Sequence, residues 1–174
     1  SILLAVSKNG NPTNLTTSHW HFHKINSKLS INGQPAFADY PGFEANEEAI
    51  YVTNNMFHNN NGTLVFVQAY LWIVNKGVTG GFYDGGAANV TAVLPIKDRL
   101  NINIPTYQPA KIRATTPRGA GPNIGTYLVS YSALTDGLTE YLSVVRIQDP
   151  LGTPTLTQEF VSIGDIETNP STGL

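Results

Sequence analysis

The stretch FADYPGFEANEEAIYVTNNMF, residues 37–57, decides the fold of this chain. Residues 39–42, Asp-Tyr-Pro-Gly, predict a turn, because proline fixes φ and glycine tolerates positive φ. The run at 49–53 is apolar and rich in β-branched and aromatic residues, which predicts a strand. The polar residues 58–62 end in Asn-Gly, a hairpin signal, and residues 63–67 begin the return strand. We therefore expect a meander of adjacent antiparallel strands, which pairs their backbone donors and acceptors.

Outward from this stretch, the chain repeats one arrangement three times: an apolar strand, a turn-rich loop and a second strand. The three copies are residues 3–7 with 19–25, residues 71–74 with 90–96, and residues 142–145 with 158–163. Equivalent positions recur about every seventy residues, which is longer than the period of common propeller blades. Strand patterns before the second and third copies, at 49–53, 110–114 and 125–131, complete units of four strands.

Four antiparallel strands repeated along a chain, with turn signals between them, are typical of β-propeller blades. We therefore predict an all-β fold in which residues 1–174 form one propeller-type region. Residues 1–30 supply the two outer strands of a first blade, residues 31–100 a second blade and residues 101–174 a third. This amounts to about two and a half blades of a larger ring.

The segments LLAVSK, at 3–8, and ADYPGFEANEEAIYVTNNMF, at 38–57, resemble the repeats of large secreted bacterial β-propeller proteins of mostly uncharacterised function. The resemblance implies a secreted or cell-surface protein whose remaining blades, or other chains, are its partners. The chain also starts within an apolar strand, residues 2–6. Because the first residues of a domain are usually loosely held, we expect this chain to be a piece of a longer protein.

Composition excludes several classes of function. Only 13% of the residues are charged, the net charge is -2 and no basic cluster is present, so the sequence gives no electrostatic reason to bind nucleic acid or an anionic membrane. No apolar run reaches the length of a membrane span. The chain has no cysteine, which excludes disulfides and thiolate chemistry. The low-charge, Thr- and Asn-rich surface favours an extracellular or cell-surface location.

Three histidines form a candidate metal site. His19, His21 and His23 alternate, so a strand places all three on one face, where imidazoles can bind zinc, nickel or copper. The alternative is a polar, aromatic edge strand that discourages the addition of further strands. Neighbouring residues on one face of a strand are roughly 7 Å apart, which is wide for three ligands on one ion and favours the alternative.

Asp39 and Tyr40 are candidate ligand-binding residues at the start of the predicted innermost strand. A row of equivalent carboxylates around a propeller channel can bind a cation such as calcium, or a sugar hydroxyl. The alternative is an Asx-turn, in which the Asp39 side chain holds residues 40–42.

The glycine-rich loop 80–86 contributes Phe82, Tyr83 and Asp84 as further candidates for ligand or partner contact, since exposed aromatic rings on a loop supply contact area. Packing of these rings back onto the blade is the alternative. The loop lacks the Lys-Ser/Thr ending of a phosphate loop. Between the first two strands, Glu44, Asn46, Glu47 and Glu48 predict a solvated acidic turn, because their spacing matches no calcium loop.

We predict a non-catalytic binding, adhesion or structural module that contacts protein or glycan through rim loops such as 77–86 and 58–62. One alternative is part of a secreted glycoside-hydrolase-like propeller, with its active centre on the channel axis. Another is a shell or filament protein. No catalytic residue is assigned, since the chain has neither cysteine nor G-x-S-x-G. No cofactor is assigned, and a divalent cation, calcium or zinc, is left open.

Overall fold

The computed structural model describes residues 1–77, 80–93, 96–98, 101–112, 124–135 and 139–165. These residues form strands, loops and a single 3₁₀ turn, Phe82–Asp84, and none of them forms a helix long and apolar enough to cross a bilayer. The strands are β1 (Ile2–Ser7), β2 (Trp20–Ile25), β3 (Leu29–Ile31), β4 (Gln34–Ala45), β5 (Ala49–Asn60), β6 (Thr63–Asn75), β7 (Val90–Val93), β8 (Gln108–Ala110), β9 (Thr126–Thr135), β10 (Glu140–Gln148) and β11 (Thr155–Gly164).

The strands form three antiparallel sheets. The first sheet is β1–β2, the central sheet is β3–β4–β5–β6–β7, and the third sheet is β8–β9–β10–β11. The central sheet is curled into a half-barrel. Within each sheet, every strand pairs with the next one along the chain, so the predicted all-β class is confirmed. No propeller is detected among the described sheets.

The predicted turn at 39–42 is wrong, because β4 runs through it. Asp39 pairs with Asn55 and Gly42 pairs with Thr53, so β4 carries one extra residue here, a β-bulge. Such a bulge tolerates Pro41, which has no N–H to donate to a ladder. Gly42 serves close packing instead of a turn, since a Cβ there would lie 2.8 Å from Pro109 Cδ on β8.

The Asn-Gly hairpin is confirmed. Asn61 and Gly62 have φ of 51° and 89°, and Asn60 pairs with Thr63, as in a two-residue hairpin loop. The strands extend further toward the turn than predicted, since His58 belongs to β5. A second Asn-Gly turn at 32–33 joins β3 to β4 and gives the central sheet a fifth strand, which the four-strand unit did not include.

The central sheet is buried on both faces, which explains why β5 is buried along eight consecutive residues. On one face, Tyr51 and Ile73 pack with Leu128, Val145 and Ile147 of the third sheet. The other face packs against the first sheet; its core contains Leu4, Ile25, Ile50, Val52, Trp72 and Val74. The three sheets are therefore stacked in chain order, with two separate cores between them.

Candidate functional site

The histidine row packs against the 3₁₀ turn of the neighbouring sheet. The His23 ring meets the Phe82 ring edge-on at 6.0 Å between centroids, and a Cβ on Gly85 would lie 2.7 Å from His21 Cε1. His19 precedes β2, and its Nδ1 is 3.4 Å from the Thr13 backbone nitrogen. Nowhere in the described part of the chain do three His, Cys, Asp or Glu side chains come together as a metal-ligand set. A metal role for His19, His21 and His23 therefore stays a prediction without geometric support.

The loop candidates divide between the core and the surface. Phe82 is only 3% exposed and belongs to the core between the first and central sheets. Tyr83 is half-buried, which raises its pKa, and the Lys76 ammonium lies 4.9 Å from the centre of its ring. Asp84 is exposed. Phe82 thus packs back onto the sheet, whereas Tyr83 and Asp84 remain accessible for contact.

Asp39 and Tyr40 lie at the bulge in the middle of β4, so the prediction that Asp39 opens this strand is wrong. Both residues are exposed, and an Asp39 carboxylate oxygen accepts a hydrogen bond of 2.8 Å from the Tyr40 backbone N–H. This local bond resembles the Asx alternative. The Tyr40 side chain is 63% exposed and lies 6.4 Å from the Phe57 ring, measured between centroids.

Tyr40 belongs to a cluster of four rings around Phe57, which we call the aromatic strip: Phe37 and Tyr40 on β4, Phe57 on β5 and Phe66 on β6. The Phe37 and Phe57 centroids are 6.2 Å apart, and those of Phe57 and Phe66 are 6.0 Å apart. The three phenylalanines are half-buried. The strip crosses three neighbouring strands close to the hairpin tip, and the sequence interpretation assigned only Tyr40 of the four.

A cleft of about 590 Å³ opens on the opposite face of the central sheet, beside β1. Its lining includes Leu4, Asp39, Pro41, Phe43, Val52 and Asn54. β1 is paired with β2 along one edge only, and its other edge borders this cleft. Phe43 is 62% exposed here. The first sheet therefore covers β6 and part of β5 and leaves an apolar surface uncovered next to β4.

The predicted solvated turn is instead an inter-sheet junction, which we define as Asn46, Glu48 and Gly125. Asn46 is buried; its Oδ1 accepts the backbone N–H groups of Glu48 and Ala49, and its Nδ2 donates to the Gly125 carbonyl at 2.7 Å. Glu48 accepts the Gly125 N–H at 2.9 Å. Both backbone polar groups of Gly125 are thus held by side chains of the turn between β4 and β5, so the prediction of a solvated turn is wrong for Asn46 and Glu48.

Glu44 lies next to this junction and is only 4% exposed. Among the described residues, neither of its carboxylate oxygens has a partner in hydrogen-bonding geometry. Desolvation by burial raises the pKa of Glu44, and the Ile112 backbone N–H and the ammonium groups of Lys111 and Lys76 oppose that shift. A buried carboxylate with unsatisfied oxygens costs folding free energy.

We expect Glu44→Gln to raise the free energy of unfolding at neutral pH by about 1 kcal/mol, because the variant buries no charge. The pKa of Glu44 is higher in the folded chain than its ordinary value of 4.5, so ionisation costs stability above the folded pKa. Below the unfolded pKa the carboxyl is neutral in both states and the cost is absent. Urea unfolding between about pH 4 and pH 7 should show the gain shrinking as the pH falls.

Glu47→Gln is the matched control for this prediction, since Glu47 is exposed on the same turn. It should leave the unfolding midpoint nearly unchanged at both ends of the pH range. A Glu44→Gln variant that is less stable than the parent at neutral pH would show that the carboxylate is stabilised by its surroundings.

No protein-family model, no curated protein and no solved structure matches this chain. The resemblance of residues 3–8 and 38–57 to bacterial propeller repeats is therefore an expectation, and functional inference rests on the geometry of the molecule.

Proposed function

We propose that the chain is a run of propeller-type blades that acts as a non-catalytic binding module outside the cell or at its surface. The observation that carries the proposal is the stacking of three antiparallel meanders in chain order, with the central one covered on both faces. Blades of a propeller stack in this way around their axis. The polar surface with few charges, which the composition indicates, supports an extracellular setting.

The two separate cores favour blades over a two-layer sandwich. In a sandwich, two sheets share one core and each turns its other face to solvent. Here Tyr51 and Ile73 contribute to one core, whereas Val52 and Val74 on the same two strands contribute to the other. This arrangement counts against a sandwich or jelly roll, which is the fold that the shell or filament alternative requires. No observation among the described residues specifically favours the hydrolase alternative.

The open edge of β1 supports the same interpretation. β6 pairs with both β5 and β7, and β10 pairs with both β9 and β11, whereas β1 pairs, within the described part of the chain, only with β2. If β1–β2 corresponds to β6–β7, two inner strands are missing from the first sheet, and the cleft beside β4 is where they would lie. Those strands would come from the remaining blades or from another chain.

A fusion tests this assignment. Residues 34–55, a second copy of most of β4–β5, followed by an Asn-Gly turn, are placed before Ser1, because β1 aligns with β6 and Ala69 of β6 pairs with Asn55. We expect the added hairpin to pair with β1 and raise the thermal midpoint by at least about 5 °C, which corresponds to roughly 2 kcal/mol for a chain of this size.

The control fusion carries Ile50→Pro and Val52→Pro in the added copy only, which prevents strand pairing. Equal midpoints for the two fusions would contradict the blade assignment. The binding role is tested on the fused and original chains by saturable retention of an extracellular glycan or protein that is recovered intact. Release of a cleaved product would favour the hydrolase alternative.

A further inference from the structure

We propose that the aromatic strip is a binding site for a neutral saccharide chain. The inference rests on the proposed binding role and names the ligand class of one surface. The strip consists of Phe37, Tyr40, Phe57 and Phe66, which lie side by side on three hydrogen-bonded strands. The Phe57 ring is at the centre, and the rings of Phe37, Tyr40 and Phe66 each lie against it.

The rings are held in place before any ligand arrives. The ring centroids of Phe37, Tyr40 and Phe66 lie 6.0 to 6.4 Å from the centroid of Phe57, so the central ring packs against the other three. The three phenylalanines are half-buried, whereas Tyr40 is exposed over most of its surface. The C–H groups of a sugar ring carry partial positive charge and pack against the electron-rich faces of aromatic rings. Because the rings are already fixed, binding costs the protein little conformational entropy.

Polar groups at the margins of the strip fit hydroxyl groups. Asn59 is exposed and lies two residues beyond Phe57, on the same face of β5. Its Oδ1 accepts the Gly62 N–H at 2.8 Å, which fixes the amide and leaves its N–H groups as donors. A small number of oriented polar groups beside apolar rings is typical of ligand sites.

The lack of positive charge in the sequence around the strip favours a saccharide over a nucleic acid as its ligand. Stacking of bases on aromatic rings is accompanied by a positively charged groove for the phosphates. Between Leu29 and Asn75, the stretch that contains β3 to β6, the sequence has no lysine and no arginine. A polyanion would therefore meet no compensating charge on this sheet, whereas an uncharged glycan needs none.

A protein partner fits the strip less well. Stable protein interfaces bury about 800 Å² on each partner around a central apolar cluster. The strip consists of only four rings, and residues 59–61 at the adjoining tip are three asparagines. A small apolar patch beside amide groups suits the C–H faces and hydroxyl groups of a sugar chain.

The test is affinity electrophoresis of the full chain through gels that contain neutral polysaccharides: a β-glucan, a xylan or a galactomannan. We expect at least one of them to retard the parent chain. Tyr40→Ala should lower the apparent affinity measured from this retardation by about tenfold, which is the effect of losing one stacking contact. The matched control is Phe43→Ala, because Phe43 is equally exposed on β4 but pairs with Val52, on the opposite face of the sheet. Its retardation should equal that of the parent.

Equal retardation of Tyr40→Ala and the parent would overturn the inference, and so would the absence of retardation by any of the three polysaccharides. Binding of single-stranded DNA, or of an unglycosylated protein, that requires Tyr40 would assign the strip to another ligand class. If a target binds through Tyr83 and Asp84 while the polysaccharides do not bind, the saccharide site fails and the proposed binding role stands. If neither surface binds anything, both fail.

Discussion

Replacing Gly125 with alanine is expected to lower the free energy of unfolding by about 4 kcal/mol, at the upper end of the range for single substitutions. Gly125 has a φ of 60°, which alanine adopts only with strain. An added Cβ would also overlap the Ile147 carbonyl oxygen and lie 2.6 Å from Arg146 Nη1. The backbone cannot move away easily, because Asn46 and Glu48 hold the carbonyl and the N–H of this residue.

Urea unfolding followed by tryptophan fluorescence measures this loss, since Trp72 is buried in the central sheet. Gly10→Ala is the matched control: a Cβ at Gly10 meets no atom within 4 Å, and its φ is not positive. That variant should unfold within about 0.5 kcal/mol of the parent. A Gly125→Ala chain with the midpoint of the parent would refute the described contact between the central and third sheets.

Asn46→Ala is expected to cost about 3 kcal/mol, the second largest effect, because one truncation leaves several buried groups unpaired. The Glu48 and Ala49 N–H groups lose their shared acceptor, and the Gly125 carbonyl loses its donor. The Lys76 ammonium still donates to the Asn46 backbone carbonyl at 2.7 Å, so that bond is unaffected by the truncation.

The matched control is Asn60→Ala, an exposed asparagine on β5, whose midpoint should stay close to that of the parent. A double-mutant cycle between Asn46→Ala and Glu48→Ala tests whether the junction acts as a unit. Because both side chains hold the same peptide, the double variant should cost less than the two single variants together. Additive costs would show that the two bonds are independent.

Local signals predicted the strands of this fold well. Alternation and β-branched composition indicated β1, β5, β6, β10 and β11, and the Asn-Gly pair at 61–62 fixed one hairpin register. The second Asn-Gly pair, at 32–33, is the same hairpin signal, but the sequence interpretation assigned no strand before it and so did not include β3. Strand identity depends on nearby residues, so a single sequence contains much of the information.

Contacts between sheets were not predictable in the same way. Asn46 and Gly125 are 79 residues apart in the chain, and no local sequence pattern predicts the contact between them. Glutamates near a turn usually face water, yet Glu44 is buried at the end of β4, and Asn46 is buried where it donates to the Gly125 carbonyl. Pro41 and Gly42 predicted a turn. In the structure Pro41 lies in a β-bulge, and Gly42 allows the close approach of β8.

Only part of the aromatic strip can be predicted from the sequence. A two-residue loop at Asn61-Gly62 places Phe57 opposite Phe66, since both lie three residues outside the pair that closes the turn. Phe37 joins them only when the register between β4 and β5 is known, and the bulge shifts that register within the stretch that was interpreted as a turn. Tyr40 was therefore assigned as a candidate without its neighbours.

The chain-order pairing of the strands has a consequence for how the molecule forms during synthesis. Every sheet is built from one continuous stretch, so its backbone bonds close over short loops with a small entropy cost. A nascent chain can complete the first and central sheets before residues 126–164 leave the ribosome. The later sheet then adds onto a finished surface, and no strand of the central sheet has to wait for a distant partner.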